Sequence, residues 1–145
     1  MQPDRDLPRK DAVGGEPPAG GPEVTNAPAA LLLREPFRLL FPVALVVTLA
    51  GVALWPLLHV GWLEIYPGTM HARVMSAAFV GFLLGFLGTA LPRLLEASPL
   101  RAAELALLLA GWLGSVSAYF LSRTATGDLL LALTLWLFVL SLIHI

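Results

Sequence analysis

The sequence predicts an all-α protein, a polytopic bundle of about four transmembrane helices preceded by a disordered N-terminal tail. Of the 145 residues, 57% are hydrophobic and only 13% are charged, which is far more apolar than a soluble domain. The mean hydropathy is +0.79, and the few charged residues cluster between long apolar runs. Each run has roughly the 20 residues that an α-helix needs to cross a hydrocarbon core of about 30 Å.

The composition also argues against several classes of function. The chain contains no cysteine, which excludes disulfides, thiolate metal sites and thiol nucleophiles within it. Its formal net charge is −1 and its arginines are dispersed, so a nucleic-acid partner is not expected. The sequence contains no phosphate-binding glycine-rich loop, nucleophile elbow or HExxH zinc motif. The predicted partner is the lipid bilayer.

Residues 1–30 are predicted to form the disordered tail. They contain six prolines and four glycines, mixed charges and no apolar periodicity. We expect no cleaved signal peptide, because the apolar sequence begins only at about Ala29. Residues 31–37 are predicted to be a short amphipathic lead-in at the membrane interface, with Arg34 and Arg38 reaching lipid headgroups.

Residues 31–145 are predicted to form one transmembrane domain, with spans at about 39–58, 70–91, 102–121 and 128–145. Pro42 is placed in the first turn of the first span, where a missing N–H costs little, and Thr69 is predicted to N-cap the second. The fourth run has no polar flank after it, so we expect the chain to be part of a longer protein and assign no role to His144.

The distribution of basic residues predicts the orientation. Five precede the first span, the first loop has none, the second has two and the third has one. The positive-inside rule therefore places the N-terminus and the second loop in the cytoplasm. The polar residues around the first loop then lie toward the outer face, namely His59, Glu64, His71 and Arg73.

The second span carries the most informative pattern. At about 100° per residue, His71 shares a helix face with small residues, while Arg73 lies nearly opposite and is expected to snorkel to the interface. A neighbouring helix can approach this face closely through its glycines, Gly81, Gly85 and Gly88. We therefore expect the His71 face to point into the bundle.

His71 is the candidate metal or haem ligand. Neutral imidazole commonly binds iron and copper, and Met75, one turn further on, offers a thioether suited to Cu(I) or haem iron. The alternative is a histidine at a helix mouth that bonds to water or a carbonyl, with Met75 as packing. His59 is placed in a loop with Glu64, where a solvated histidine is the simpler interpretation.

Other polar and aromatic residues of the spans have simpler explanations. Thr89, Ser115 and Ser117 are expected to bond to carbonyls of their own helix one turn earlier. The tryptophans are interpreted as interface anchors or packing residues rather than a stacking platform for substrate, and they are Trp62, Trp112 and Trp136.

The order of these features resembles the N-terminal part of the NnrS family. The resemblance covers about residues 31–121 and rests on FRLLFPVALVVTLAGVALWPL, a short outer loop and HARVMSAAFVGFLLGFLGTALPRL. NnrS proteins are multi-pass proteins of the bacterial inner membrane, linked to nitric oxide response and described as containing haem and copper. The resemblance implies the same location and cofactor class here.

One departure from the family pattern lies at the candidate site. The family motif begins HAHEM, whereas this chain reads HARVM, with Arg73 and Val74 in place of histidine and glutamate. A guanidinium offers no lone pair to a metal. The resemblance therefore carries over His71 as the metal and cofactor ligand, and Met75 as a weaker cofactor ligand.

Three functions stay open from the sequence, and no enzymatic reaction is specified. The first is haem or copper binding through His71 in nitric oxide or metal stress response. The second is a transporter or channel subunit in which Arg73 or Glu64 guards an outer vestibule. The third is a structural or assembly factor without a cofactor, packed against the remainder of the polypeptide or other membrane subunits.

Overall fold

The computed structural model describes residues 27–143, which form five α-helices and contain no strand. The helices are α1 (Ala27–Arg34), α2 (Phe37–His59), α3 (Gly68–Leu94), α4 (Ala102–Phe120) and α5 (Thr124–Ile143). Helices α2 to α5 are each long and apolar enough to cross a membrane, with mean hydropathies from 1.4 to 2.2. The predicted all-α fold with four spans is confirmed, and the chain is a multi-pass membrane protein.

The start of the described chain differs in detail from the sequence prediction. Most of the predicted tail lies outside the described residues, but 27–30 belong to α1. α1 ends at Arg34, one residue before the Glu35-Pro36 pair, because a proline disfavours the helical conformation of the residue before it. Pro36, with φ −54°, then caps α2. The predicted lead-in is therefore divided between two helices.

Several helix ends also differ from the predicted ones. α3 begins at Gly68 with Pro67 as its N-cap and no side-chain capping bond, so Thr69 does not cap it. α2 begins at Phe37, which places Pro42 in its second turn. α5 begins at Thr124, because the predicted polar loop closes a helical turn in which the Gly127 N–H donates to the Arg123 carbonyl at 3.0 Å.

Two helical hairpins, α2–α3 and α4–α5, pack against each other through α3 and α4. α3 is the most enclosed helix: 44% of its span is buried, against 28% for α2, 39% for α4 and 22% for α5. Its small residues permit this central position. The core between the helices contains Leu40, Val74, Ala77, Leu84, Leu108, Trp112 and Phe138.

The glycines of α3 lie against side chains from different parts of the chain. A Cβ added to Gly81 would lie 2.2 Å from Cζ2 of Trp112 in α4. At Gly85 it would lie 3.0 Å from Cβ of Leu40 in α2. The Trp112 indole, seated at Gly81, donates to the Ala77 carbonyl at 2.7 Å. This large side chain is thus both packed and hydrogen-bonded against α3.

The hydroxyls of Thr89, Ser115 and Ser117 bond within their own helices, whereas Ser141 in α5 donates to Glu104 in α4 at 3.1 Å. Thr89 donates to the Gly85 carbonyl at 2.9 Å and Ser117 to the Leu113 carbonyl at 2.8 Å, both one turn earlier. Ser115 donates to Trp112 O, three residues earlier rather than four. Thr89 has a second role, because its oxygen also accepts the Phe37 N–H from α2 at 3.3 Å.

Candidate functional site

His71 lies in the first turn of α3, with its ring against α2. Its Nδ1 is 2.9 Å from the carbonyl oxygen of Gly51. Because a carbonyl oxygen only accepts, Nδ1 carries the proton in this contact, and Nε2 keeps its lone pair in the neutral ring. The ring also meets Trp55 edge to face, with the centroids 5.5 Å apart. α2 therefore fixes both the tautomer and the orientation of the imidazole.

Gly51 makes this contact possible. It is buried in α2, and a Cβ there would lie 3.0 Å from Cγ1 of Val74 and 3.1 Å from Sδ of Met75. A side chain at this position would require Val74 and Met75 to shift by a few tenths of an ångström. The two predicted ligands, His71 and Met75, are thus brought to the same residue of α2. The signal available in the sequence was the single glycine of the first apolar span.

Arg73 is held by other helices rather than extending freely to the interface. Its Nε donates to Oδ1 and its Nη2 to Oδ2 of Asp128 in α5, each at 3.1 Å. The hydroxyl of Tyr119, near the end of α4, donates to Asp128 Oδ1 at 2.9 Å. α3, α4 and α5 are therefore connected at the end of the bundle where His71 lies. Asp128 was missed by sequence reasoning because it was placed at a loop boundary without a partner.

The other polar residues predicted near this end are not joined to His71. His59 is exposed as the last residue of α2 rather than lying in the loop, and Glu64 is exposed in the α2–α3 connection. Within residues 27–143, no group of three or more His, Cys, Asp or Glu side chains is arranged to hold a metal ion. A single imidazole would suffice as the protein ligand of haem iron, whereas a copper centre would need further ligands.

A second polar cluster lies at the opposite end of the α2–α3 hairpin. Glu35, between α1 and α2, accepts from Arg38 in the first turn of α2 and from Arg93 in the last turn of α3. The hydrogen bond from Arg38 is the largest influence on the Glu35 carboxyl and, with that from Arg93, lowers its pKa despite opposing partial burial. The carboxylate thus stays ionised and links the start of α2 to the end of α3.

Comparison with known proteins identifies a family for this chain. Residues 31–145 match the family described as NnrS protein, so the match covers most of the chain and continues through α5. No curated protein and no solved structure matches the chain. On the strength of the family match, and with four apolar helices suited to a bilayer, the chain belongs to the NnrS family.

Proposed function

We propose that this protein binds haem, and with it or in its place copper, at the bacterial inner membrane, in nitric oxide or metal stress response. His71 is the proposed ligand. The observation that carries the proposal is the bond between His71 Nδ1 and the Gly51 carbonyl. Histidines that bind metals almost always donate their other ring N–H to a carbonyl, carboxylate or water, which orients the ring and makes the free nitrogen more basic.

The proposed ligands, His71 and Met75, favour haem. They are too few to form a complete copper centre from this part of the chain alone. His71 Nε2 would supply the one imidazole that holds haem iron, and haem bound there would supply binding of a small diatomic ligand. Met75 is the weaker proposed ligand, and its thioether is near enough to Gly51 to pack there as well. Further ligands for copper would come from outside residues 27–143 or from other membrane subunits.

The experiment uses the purified full-length protein and compares wild type with three variants by absorption spectroscopy and metal analysis. His71→Asn keeps an N–H for the Gly51 carbonyl but removes the Nε2 lone pair, while His71→Ala removes both. His59→Ala is the matched control, because that histidine is exposed at the end of α2. We expect a haem Soret band in wild type and His59→Ala, and its loss in both His71 variants.

The outcomes separate a ligand from a structural histidine. If His71→Asn retains the Soret band while His71→Ala loses it, the residue acts through its bond to Gly51, and the ligand proposal is overturned. Wild type without haem or copper, or an unchanged cofactor content in His71→Ala, would also overturn it. Thermal unfolding of each variant in detergent shows whether the bundle itself is intact.

A further inference from the structure

An apolar groove lies between α2 and α3, at the end of the hairpin opposite His71. Its walls include the rings of Phe37, Phe41 and Phe86, with Ala90 beside them, and its cavity volume is about 420 Å³. Phe86 is 58% exposed. Because Phe86 is exposed on a membrane span, the groove opens toward lipid.

The groove ends at a positive charge. Arg93 lines it and is also bonded to Glu35, which bonds to Arg38 as well. One carboxylate therefore faces two guanidinium groups. Arg34 and Glu96 line the adjoining cavity with Arg93 and offset each other in charge, so this end keeps an excess positive charge. The Arg93 side chain is 59% exposed, so part of its donor fork is open to another acceptor. The Arg38 guanidinium carbon lies 5.6 Å from the centre of the Phe37 ring, at the same groove.

We propose that this groove binds one anionic glycerophospholipid. Its acyl chain lies along the three phenylalanine rings, and its phosphate bonds to Arg93. Arg93 is in the last turn of α3, just where that span ends, and this is the depth at which lipid phosphates lie. An arginine fork matches phosphate geometry, and the excess charge of the cluster favours an anionic headgroup over a zwitterionic one.

The test measures the lipid that the full chain retains. Protein purified in mild detergent is incubated with phosphatidylglycerol or with phosphatidylcholine of the same acyl chains, and bound lipid is counted by native mass spectrometry. We expect wild type to retain phosphatidylglycerol preferentially. Arg93→Gln should reduce that retention about fivefold, which corresponds to the usual contribution of one basic residue near an anionic lipid surface.

Four further variants distinguish a lipid site from general effects. Glu35→Gln breaks the same ion pair but leaves Arg93, so it should retain as much anionic lipid as wild type or more. Ala90→Phe fills the groove without changing charge and should lose lipid, while Ala132→Phe, on an exposed position of α5, should not. Arg101→Gln, an exposed arginine after α3 and outside the groove, should retain it.

Clear results would overturn the proposal. Equal retention of phosphatidylglycerol and phosphatidylcholine would show that the protein does not recognise the negative charge of the headgroup. Equal losses in Arg93→Gln and Arg101→Gln would assign the effect to general surface charge. A loss in Glu35→Gln as large as that in Arg93→Gln would assign it to the ion pair and not to a phosphate contact. Unchanged binding in Ala90→Phe would remove the groove from the interaction.

Discussion

Arg73 of α3 and Asp128 of α5, which are 55 positions apart in the chain, form a two-point ion pair. Tyr119 of α4 donates to the same carboxylate. α5 has the least buried span of the four apolar helices, so its position depends heavily on such specific contacts. The ion pair gives Arg73 a structural role.

Asp128→Asn should therefore lower the thermal stability of the protein in detergent, because the amide cannot accept at both positions from the guanidinium. Tyr119→Phe should lower it less, since it removes one bond and leaves the ion pair intact. Arg123→Gln, an exposed arginine beside α5, is the matched control and should behave as wild type. Unfolding followed by circular dichroism checks this. An Asp128→Asn protein as stable as the control would contradict the structural role of the pair.

Gly81→Ala should destabilise the bundle by about 1–3 kcal/mol, the usual cost of overpacking a filled core. The new Cβ would lie 2.2 Å from the buried Trp112 ring, which is hydrogen-bonded to α3 and has little room to move. Gly114→Ala is the control, because its Cβ would meet only Leu130 at 3.4 Å. Alanine is the better helix former, so that variant should be neutral or slightly stabilising. Similar losses in the two variants would argue against the Trp112 contact as the cause.

The Glu35 cluster predicts a pH dependence of stability. The folded-state pKa of Glu35 lies below its ordinary value of 4.5. The contribution of this carboxylate to the stability of the fold is therefore complete above pH 4.5. It is lost as the pH falls below 4.5 and through the lowered folded-state pKa. The difference in melting temperature between wild type and Glu35→Gln should therefore be largest near neutral pH and vanish in acid. A difference that does not change with pH would show that the ionised carboxylate is not its source.

The absence of cysteine makes the proposed orientation directly testable, because a single introduced thiol is the only reactive one in the chain. Trp62→Cys places it in the exposed α2–α3 connection, and Ser98→Cys places it in the exposed α3–α4 connection. With the N-terminus in the cytoplasm, a membrane-impermeant maleimide should label Trp62→Cys in cells whose outer membrane has been permeabilised. Ser98→Cys should react only after the inner membrane is opened. The reverse pattern would invert the topology and place His71 at the cytoplasmic side.

The spans were predictable because a bilayer imposes a minimum apolar length, and each of the four runs meets it. The ends of the helices were harder to predict, because they depend on local contacts. α5 begins at Thr124 because its first turn is hydrogen-bonded and packs against α4. At Gly127, for example, a Cβ would lie 2.4 Å from the Tyr119 ring. Hydropathy assigns such a polar stretch to a loop, and contacts with neighbouring helices decide otherwise.

At the candidate site, helical periodicity placed His71 and Met75 on one face but did not identify the residue opposite them. The contact with Gly51 depends on how α2 and α3 are aligned, which a single sequence does not specify. The partner of Arg73 was unpredictable for the same reason. Asp128 is separated from it by a complete helix and two connections.

The α2–α3 hairpin has a hydrogen bond near each of its ends, from the Phe37 N–H to Thr89 and from His71 to Gly51. Thr89 and His71 are about 27 Å apart along α3, at about 1.5 Å per residue. Sliding α3 by one turn, about 5.4 Å, would break both bonds together. α3 thus acts as a spacer of fixed length between these two bonds. The position of Thr89 near one membrane surface therefore determines how deep the His71 imidazole lies near the other surface.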